Sequence, residues 1–352
     1  MKKQRISTKL IVTLIFLLGI FQPAFASEPI VKVLADKQFK VEKGVVLNAT
    51  QEFGKVYCKN WEKPEISVKI TARITGDADQ VDKILSRIVT QVSGDKSEVT
   101  ALCKLSSSIT KMIGQHVELV MEIMMPDWVN LNLEHSFGAA WVGNVSGNAT
   151  LKSKYGSLSV GSITGQDNKI DVRFGKGDIN TISNANIELS YGKMTINNGT
   201  AIILDGEYSD LQVQSLKTLK ADMEGGRLSV GSVDKMDGES SFTDVSVDRL
   251  SNSIKWNMNY GGISVDQVEA GFAMVSLNSD FGTTRIGIAP GATATLNVAA
   301  VNGSITVNNS SVSIKSDVKE MLSRHIEGIL GNKKNPAAEI VVKSNYGTVK
   351  IN

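Results

Sequence analysis

Two cysteines, six prolines, three histidines and four tryptophans are all that 352 residues contain of those types. Each scarcity narrows the field. His116, His135 and His325 lie far apart and have no metal-ligand spacing to one another or to the cysteines. No metal centre is therefore read, and each is expected on the surface or at the rim of a repeat. A Gly-x-Ser-x-Gly elbow and a phosphate-binding glycine loop are both missing, so neither acyl-transfer nor nucleotide chemistry has its usual signature. Six prolines beside 31 glycines fit many tight turns rather than a collagen or a linker. Charge of one sign is lacking too. With 38 Lys and Arg against 36 Asp and Glu and no Lys/Arg-rich patch, no nucleic-acid partner is expected.

The chain also lacks any apolar run long enough to span a membrane comfortably; the longest, near its start, is about a dozen residues. Lys2, Lys3, Arg5 and Lys9 precede an apolar stretch from Leu10 to Phe21, and Ala24-Phe25-Ala26 has the small-x-small cleavage pattern. Residues 1–26 are thus expected to be a signal peptide, with a mature chain from Ser27 and no later transmembrane segment. No cysteine sits at the cleavage point, which argues against a lipoprotein. Without the leader's four basic residues the balance moves from +2 to −2, 34 basic against 36 acidic residues. Cys58 and Cys103 would then sit where disulfides form. Both fall on alternating, strand-like runs, and a buried free thiol and a bridge between neighbouring strands are equally compatible with that placement.

What the chain has in abundance is a repeat. From Phe174 to Leu250 it recurs every 17 residues without a gap, anchored at Phe174-Gly175, Tyr191-Gly192, Tyr208-Ser209, Gly225-Gly226 and Phe242-Thr243. Five positions after each anchor stand Ile179, Ile196, Val213, Val230 and Val247. Four before stand Ile170, Ile187, Leu204, Ala221 and Gly238. Such columns mean that one short unit stacks on the next, each burying its neighbour's apolar row. Further anchors at Phe137, Tyr155, Tyr260, Phe281, Asn302-Gly303 and Tyr346-Gly347 extend the pattern with spacings of 17–21 residues and a final gap of 44. The glycine suits a corner between short strands, and the aromatic is placed to stack on its counterpart about 4.8 Å away.

The fold class expected is all-β: a parallel β-helix or solenoid with 17–21-residue rungs. Residues 27–135 form a β-rich N-terminal segment, in which Phe53-Gly54 already repeats the anchor and Val81, Ile84, Leu85 and Ile88 predict an amphipathic helix over about 79–92. Residues 136–352 carry the repeats. Within them, an insertion at about 315–338 is the candidate cap; Val318, Met321, Leu322, Ile326 and Ile329 match a helical face, while His325–Leu330 suits a strand equally well.

The polar columns carry little chemistry. Lys176, Lys193, Asp210, Arg227 and Asp244 recur at 17 residues and form, from Lys193 on, a ladder of alternating sign that would help set register; a charged groove for a saccharide or peptide is the alternative. Asp205, Glu207, Asp222 and Glu224 are the densest acidic group, read as a solvated strip, with oxygen ligation of Ca²⁺ as the alternative. Trp61, Trp128, Trp141 and Trp256 could include an exposed sugar platform; Trp61 and Trp256 fall in or near apolar rows, so core is the favoured reading.

Phe53-Gly-Lys-Val56, the helix, Met125-Pro-Asp-Trp-Val-Asn-Leu-Asn-Leu133, Lys154-Tyr-Gly-Ser-Leu158 and Ser344-Asn-Tyr-Gly-Thr-Val-Lys-Ile351 come in a familiar order. Together they resemble the adhesin-like, head-GIN-type β-solenoid proteins of Gram-negative envelopes over nearly the whole mature chain. That family is largely of unknown function, so the resemblance implies an architecture and an envelope location but no catalytic residue. Gly225 and Asn302 depart from it by replacing the aromatic. The expectation is an exported, non-enzymatic scaffold, periplasmic or extracellular, that binds a glycan or an envelope protein. No cofactor is expected, no catalytic or metal residue is nominated, and binding residues stay unassigned. A polysaccharide-acting enzyme and a docking partner for another envelope protein are the rivals.

Overall fold

A computed structural model describes residues 29–76, 78–106 and 117–352. The expected signal peptide and His116 lie outside those residues. The described chain is all-β apart from one short helix, and its 21 strands belong to a single sheet.

The body of the sheet is built by in-register parallel pairing. Lys176–Ser190 pairs with the segment that starts at Lys193, placing Ile179 opposite Ile196 and Ile187 opposite Leu204. Ser157–Ile163 pairs the same way with Lys176 onward, and Met274–Ile288 pairs with Ser253 onward. From Lys193 to Val268 the chain stays extended through four corners. The column residues five after each anchor from Phe174 to Phe242 are all buried, and they belong to one continuous apolar core. Side chains alternate along a strand, so a register that puts like on like buries every second residue of each unit against its neighbour.

The anchors form the corners. Ten non-glycine residues, nine of them at anchor aromatics from Phe137 to Tyr346 and the tenth at Asn302, hold φ between 46° and 55°. Left-handed backbone costs an L-residue roughly 1–2 kcal/mol. Face-to-face stacking offsets it: Phe53, Phe137, Tyr155, Phe174, Tyr191 and Tyr208 form one column with centroids 5.0–5.4 Å apart. Phe242, Tyr260, Phe281 and Tyr346 form a second, spaced by 4.7–5.0 Å. Gly225 is the break between them, whereas Asn302 lies beyond Tyr346, at the end of the column. The following residue must be small, since a Cβ on Gly156 would come within 2.6 Å of the Gly138 carbonyl oxygen. Removing one ring removes two stacking contacts and leaves the backbone strain in place. Tyr191→Ala is therefore expected to destabilise the protein by about 1–3 kcal/mol in urea titration.

Both ends depart from simple succession. Val46–Gln51 lies between Glu98–Leu105 and Asn130–Ser136, and Gly54–Asn60 lies between Val117–Met125 and Gly138–Val145. Antiparallel strands then finish this end: Ile30–Lys40 on Glu65–Ile74, that strand on Val117–Met125, and Ile88–Gly94 on Glu98–Leu105. The helix is shorter than its apolar spacing predicts. It covers Ala78–Leu85, and Ile88–Gly94 is a strand. Val81 and Ile84 hold the helix to the core, but Ile88, Thr90 and Val92 also alternate, and the antiparallel partner decides in favour of extended backbone.

At the other end the last segment folds back. Glu339–Asn345 inserts between Met274–Ile288 and Ala294–Val301, pairing in parallel with both. The insertion at 315–338 is not helical. Val312–Lys319 and Ser323–Leu330 make an antiparallel hairpin whose second strand pairs antiparallel with Ala294–Val301. Ile326 and Leu330 are buried, while Val318, Met321 and Leu322 are exposed, so the helical spacing of the apolar residues did not describe their burial. No helix of the described residues is long and apolar enough to cross a membrane.

Candidate functional site

The polar groups singled out in the sequence do not converge. Lys176 stands directly opposite Lys193, and among the described residues no ion pair joins the column from Lys176 to Asp244. The opposite-charge ladder is thus a matter of spacing, not of contact. Asp205 and Glu207 lie opposite Glu188 and Ser190, and Glu207 accepts a hydrogen bond from the Tyr191 hydroxyl at 3.0 Å. That bond raises the Tyr191 pKa. Among the described residues no three carboxylate, histidine or cysteine groups meet as a cation site.

Cys58 and Cys103 are free, buried thiols, each pushed up to about 12 by burial. His325 is a partly exposed strand residue whose Nε2 lies 3.0 Å from Asn297 Oδ1. His135, in contrast to the surface or rim position expected, is buried: it is 1% exposed, its Nε2 lies 3.3 Å from the Gly54 carbonyl oxygen, and Nδ1 has no partner among the described residues. It points inward because Leu131, Leu133 and His135 share one face of their strand. Burial lowers its pKa from the ordinary 6.5. The unfolded chain takes up this proton at about pH 6.5 and the folded one only at lower pH. The His135 contribution is therefore complete above that value and declines as pH falls below it, with a slope of at most about 1.4 kcal/mol per pH unit. His135→Gln is expected to flatten the acid limb of a stability-against-pH curve, read by urea midpoints.

The tryptophans separate clearly. Trp256 is buried and donates from Nε1 to Ser240 Oγ at 2.9 Å. Trp61 is half-buried and donates to the Glu65 carbonyl at 2.7 Å, and Trp128 packs on the core. Trp141 is exposed. It stacks on Tyr57 with centroids 4.7 Å apart and planes 7° from parallel. The Lys59 ammonium lies 5.5 Å from the Tyr57 centroid; two rings that close leave no room between them, so Lys59 covers the face of Tyr57 turned away from Trp141.

A groove of about 690 Å³ opens beside this pair. One wall is a register column, Tyr57 opposite Trp141, Trp141 opposite Ser159, Ser159 opposite Asp178 and Asp178 opposite Thr195. The other wall starts at Asn60 and continues through Gly143, Gly161, Asn180 and Asn197. Asn60 is held by two bonds to the Asn144 backbone, 2.9 Å to its carbonyl and 2.6 Å from its amide. Asn197 Nδ2 donates to Asn180 Oδ1 at 3.1 Å. Gly143 is what lets Asn60 pack so close, because a Cβ there would collide with Asn60 Oδ1.

No protein-family description matches the chain, and no curated protein is similar to it. Among solved structures the chain is similar to a cell-adhesion candidate from Clostridium sporogenes, with 12% identity, 92% of this chain and 99% of that one covered, and a TM-score of 0.21. It is similar also to an adhesin candidate from Bacteroides fragilis, with 14% identity, 73% and 97% covered and a TM-score of 0.35. A third likeness is to a lipid-binding candidate from Parabacteroides distasonis, with 11% identity, 93% and 97% covered and a TM-score of 0.27. Identities and scores this low leave the groove to be read from its own geometry.

That geometry could hold a ligand. Glycoside hydrolysis uses two carboxyl groups flanking the bond; among the described residues Asp178 is the single acidic one lining the groove. An aromatic face beside hydroxyls, amides and one carboxylate is a binding surface. The sequence did contain a signal for it. Tyr57, Trp141, Ser159, Asp178 and Thr195 each follow an anchor aromatic by four residues, a column visible once the corners are aligned.

Proposed function

We propose that this chain is an exported, non-enzymatic envelope protein, a parallel β-solenoid of the adhesin-like type, that binds glycans in the groove beside Trp141. The 17–21-residue offsets between paired segments and the stacked corners support the solenoid. The order of motifs from Phe53 to Ile351 supports the adhesin-like family and, with the basic-apolar leader over residues 1–26, a periplasmic or extracellular location. In this reading residues 27–135 form a capping segment and residues 136–352 the stacked body, with the Val312–Leu330 hairpin covering the far end.

The observation that carries the binding role is the parallel-stacked Tyr57–Trp141 pair, Trp141 exposed and Tyr57 half-buried, at the mouth of a groove lined by Ser159, Asp178, Asn180 and Thr195. The test is a screen of the purified mature protein on envelope-glycan and polysaccharide arrays, with product analysis of each hit. Binding without cleavage is expected, weakened roughly tenfold or more in Trp141→Ala. Cleavage products, or hits that Trp141→Ala leaves intact, would sink this reading.

A second reading has its own observation. Val312–Lys319 pairs, among the described residues, with Ser323–Leu330 alone, and Ile314, Val318, Met321 and Leu322 are exposed along and beside that open edge. An unpaired apolar edge invites another strand, which would make this end a docking face for an envelope protein. An empty array together with a strand-adding partner recovered by cross-linking at Lys315 would favour it.

A further inference from the structure

We infer that the groove holds one saccharide unit as a third member of the Tyr57–Trp141 stack, and that the unit is a neutral or amino pyranose rather than a uronic acid. This rests on the proposed glycan-binding role and adds the position and the chemical class of the bound ring.

The position follows from which aromatic faces are free. Trp141 covers one face of Tyr57 and Lys59 the other. Tyr57 covers one face of Trp141. The remaining indole face looks along the column toward Ser159, its register partner, whose side chain is too short to cover an indole. At the corners, by contrast, successive aromatics continue the stack at about 5 Å. Here the stack stops after two rings, and the room for a third is left over Ser159. Asp178 lies one strand further on, two strand spacings from Trp141, or about 9.6 Å. A ring resting on the indole therefore has the carboxylate on its far side within reach of its hydroxyls.

The class follows from the groups around that space. Asp178 accepts hydrogen bonds and donates none once ionised. Asn197 Nδ2 is engaged with Asn180 Oδ1, which leaves Asn180 Nδ2 as a donor and Asn197 Oδ1 as an acceptor for a ligand. Gly143 and Gly161, which also line the groove, add no side chain of their own to it. A pyranose presents an apolar C–H face to an indole and hydroxyl groups at its rim, matching both features. A flat aromatic ring would satisfy the indole but strip water from Asp178 without replacing it, which is unfavourable. A uronate would set a carboxylate beside Asp178, and like charges repel in a shared site.

The probes are methyl glucoside, methyl N-acetylglucosaminide, methyl glucuronide and p-cresol, titrated into the full mature chain while the Trp141 indole N–H is followed by NMR. The first two are expected to bind and to move that signal, methyl glucuronide to bind roughly tenfold more weakly or not at all, and p-cresol to bind more weakly than the sugars. Ser159→Tyr places a protein ring where the sugar would sit and is expected to abolish pyranoside binding while the melting temperature is kept; Ser159→Leu serves if the tyrosine variant does not fold. Asp178→Asn is expected to admit methyl glucuronide. Pyranoside binding unchanged in both Ser159 variants, glucuronide bound as well as glucoside, tighter binding of p-cresol, or no pyranoside bound up to its solubility limit would each overturn the subsite. Array hits that Trp141→Ala abolishes would, in any of those cases, leave the broader glycan-binding role standing; an empty array would remove both.

Discussion

Val213→Asp is expected to lower stability by about 3–5 kcal/mol and to split a single unfolding transition into two. Val213 is 1% exposed in the inward column with Ile196 and Val230, and all three are buried. A charge there has no partner, and an uncompensated buried charge costs several kcal/mol. The split follows from the proposed solenoid: in a repeat array each unit is held chiefly by its neighbours, so a break in the middle uncouples the two sides. Thermal melts followed by circular dichroism and by hydrogen exchange read both effects. The control is Ser215→Asp, two residues away at an exposed position, where a change within about 0.5 kcal/mol is expected. A wild-type melting curve for Val213→Asp would remove in-register stacking as the basis of the fold.

Deleting residues 339–352 is expected to release the hairpin and the strand before it while leaving the middle of the protein folded. The deleted segment is the tie between Met274–Ile288 and Ala294–Val301, pairing with each. It also buries Ile340, Val342, Val349 and Ile351, each worth roughly 1.5–3 kcal/mol of apolar burial. Without it, Ala294–Val301 keeps a single partner, Ser323–Leu330, and Phe281 loses the ring of Tyr346. Amides over residues 294–330 should then exchange freely while those over 149–268 stay protected. Retained protection over 294–330 would mean that the hairpin end is held by something other than the inserted strand.

Much of the body was legible because its information is local and repeated. An aromatic and a small residue at each corner, and apolar residues five after and four before, set the period, the inward face and the pairing partner together. The corner stack followed from the same columns. The helix boundary and the 315–338 insertion were less legible for a common reason. In Val81–Ile88 and Val318–Ile329 apolar residues fall at spacings that suit a helix, yet Ile88–Val92 and the hairpin also alternate. Which period wins depends on whether a strand edge lies alongside, and that edge comes from distant residues. His135 was misplaced because its type suggests a surface, whereas its position after Leu131 and Leu133 put it on the inward face.

The groove shows the limit from the other side. Tyr57 and Trp141 are 84 residues apart in sequence, and only the insertion of Gly54–Asn60 between Val117–Met125 and Gly138–Val145 stacks them. Likewise, Tyr346 follows Asn302 in sequence but precedes it in the stack, because the last strand threads back between two earlier ones. By itself the amino-acid sequence determined the repeat, the buried columns and the corner chemistry, since each of these is a preference of residues for their immediate backbone and for an identical neighbour. The tertiary structure alone decided the order of strands at both ends, and with it the aromatic face left open beside Ser159. Strand order rests on the pairing of edges brought together from far apart in the chain, and no local preference encodes which distant edge is met.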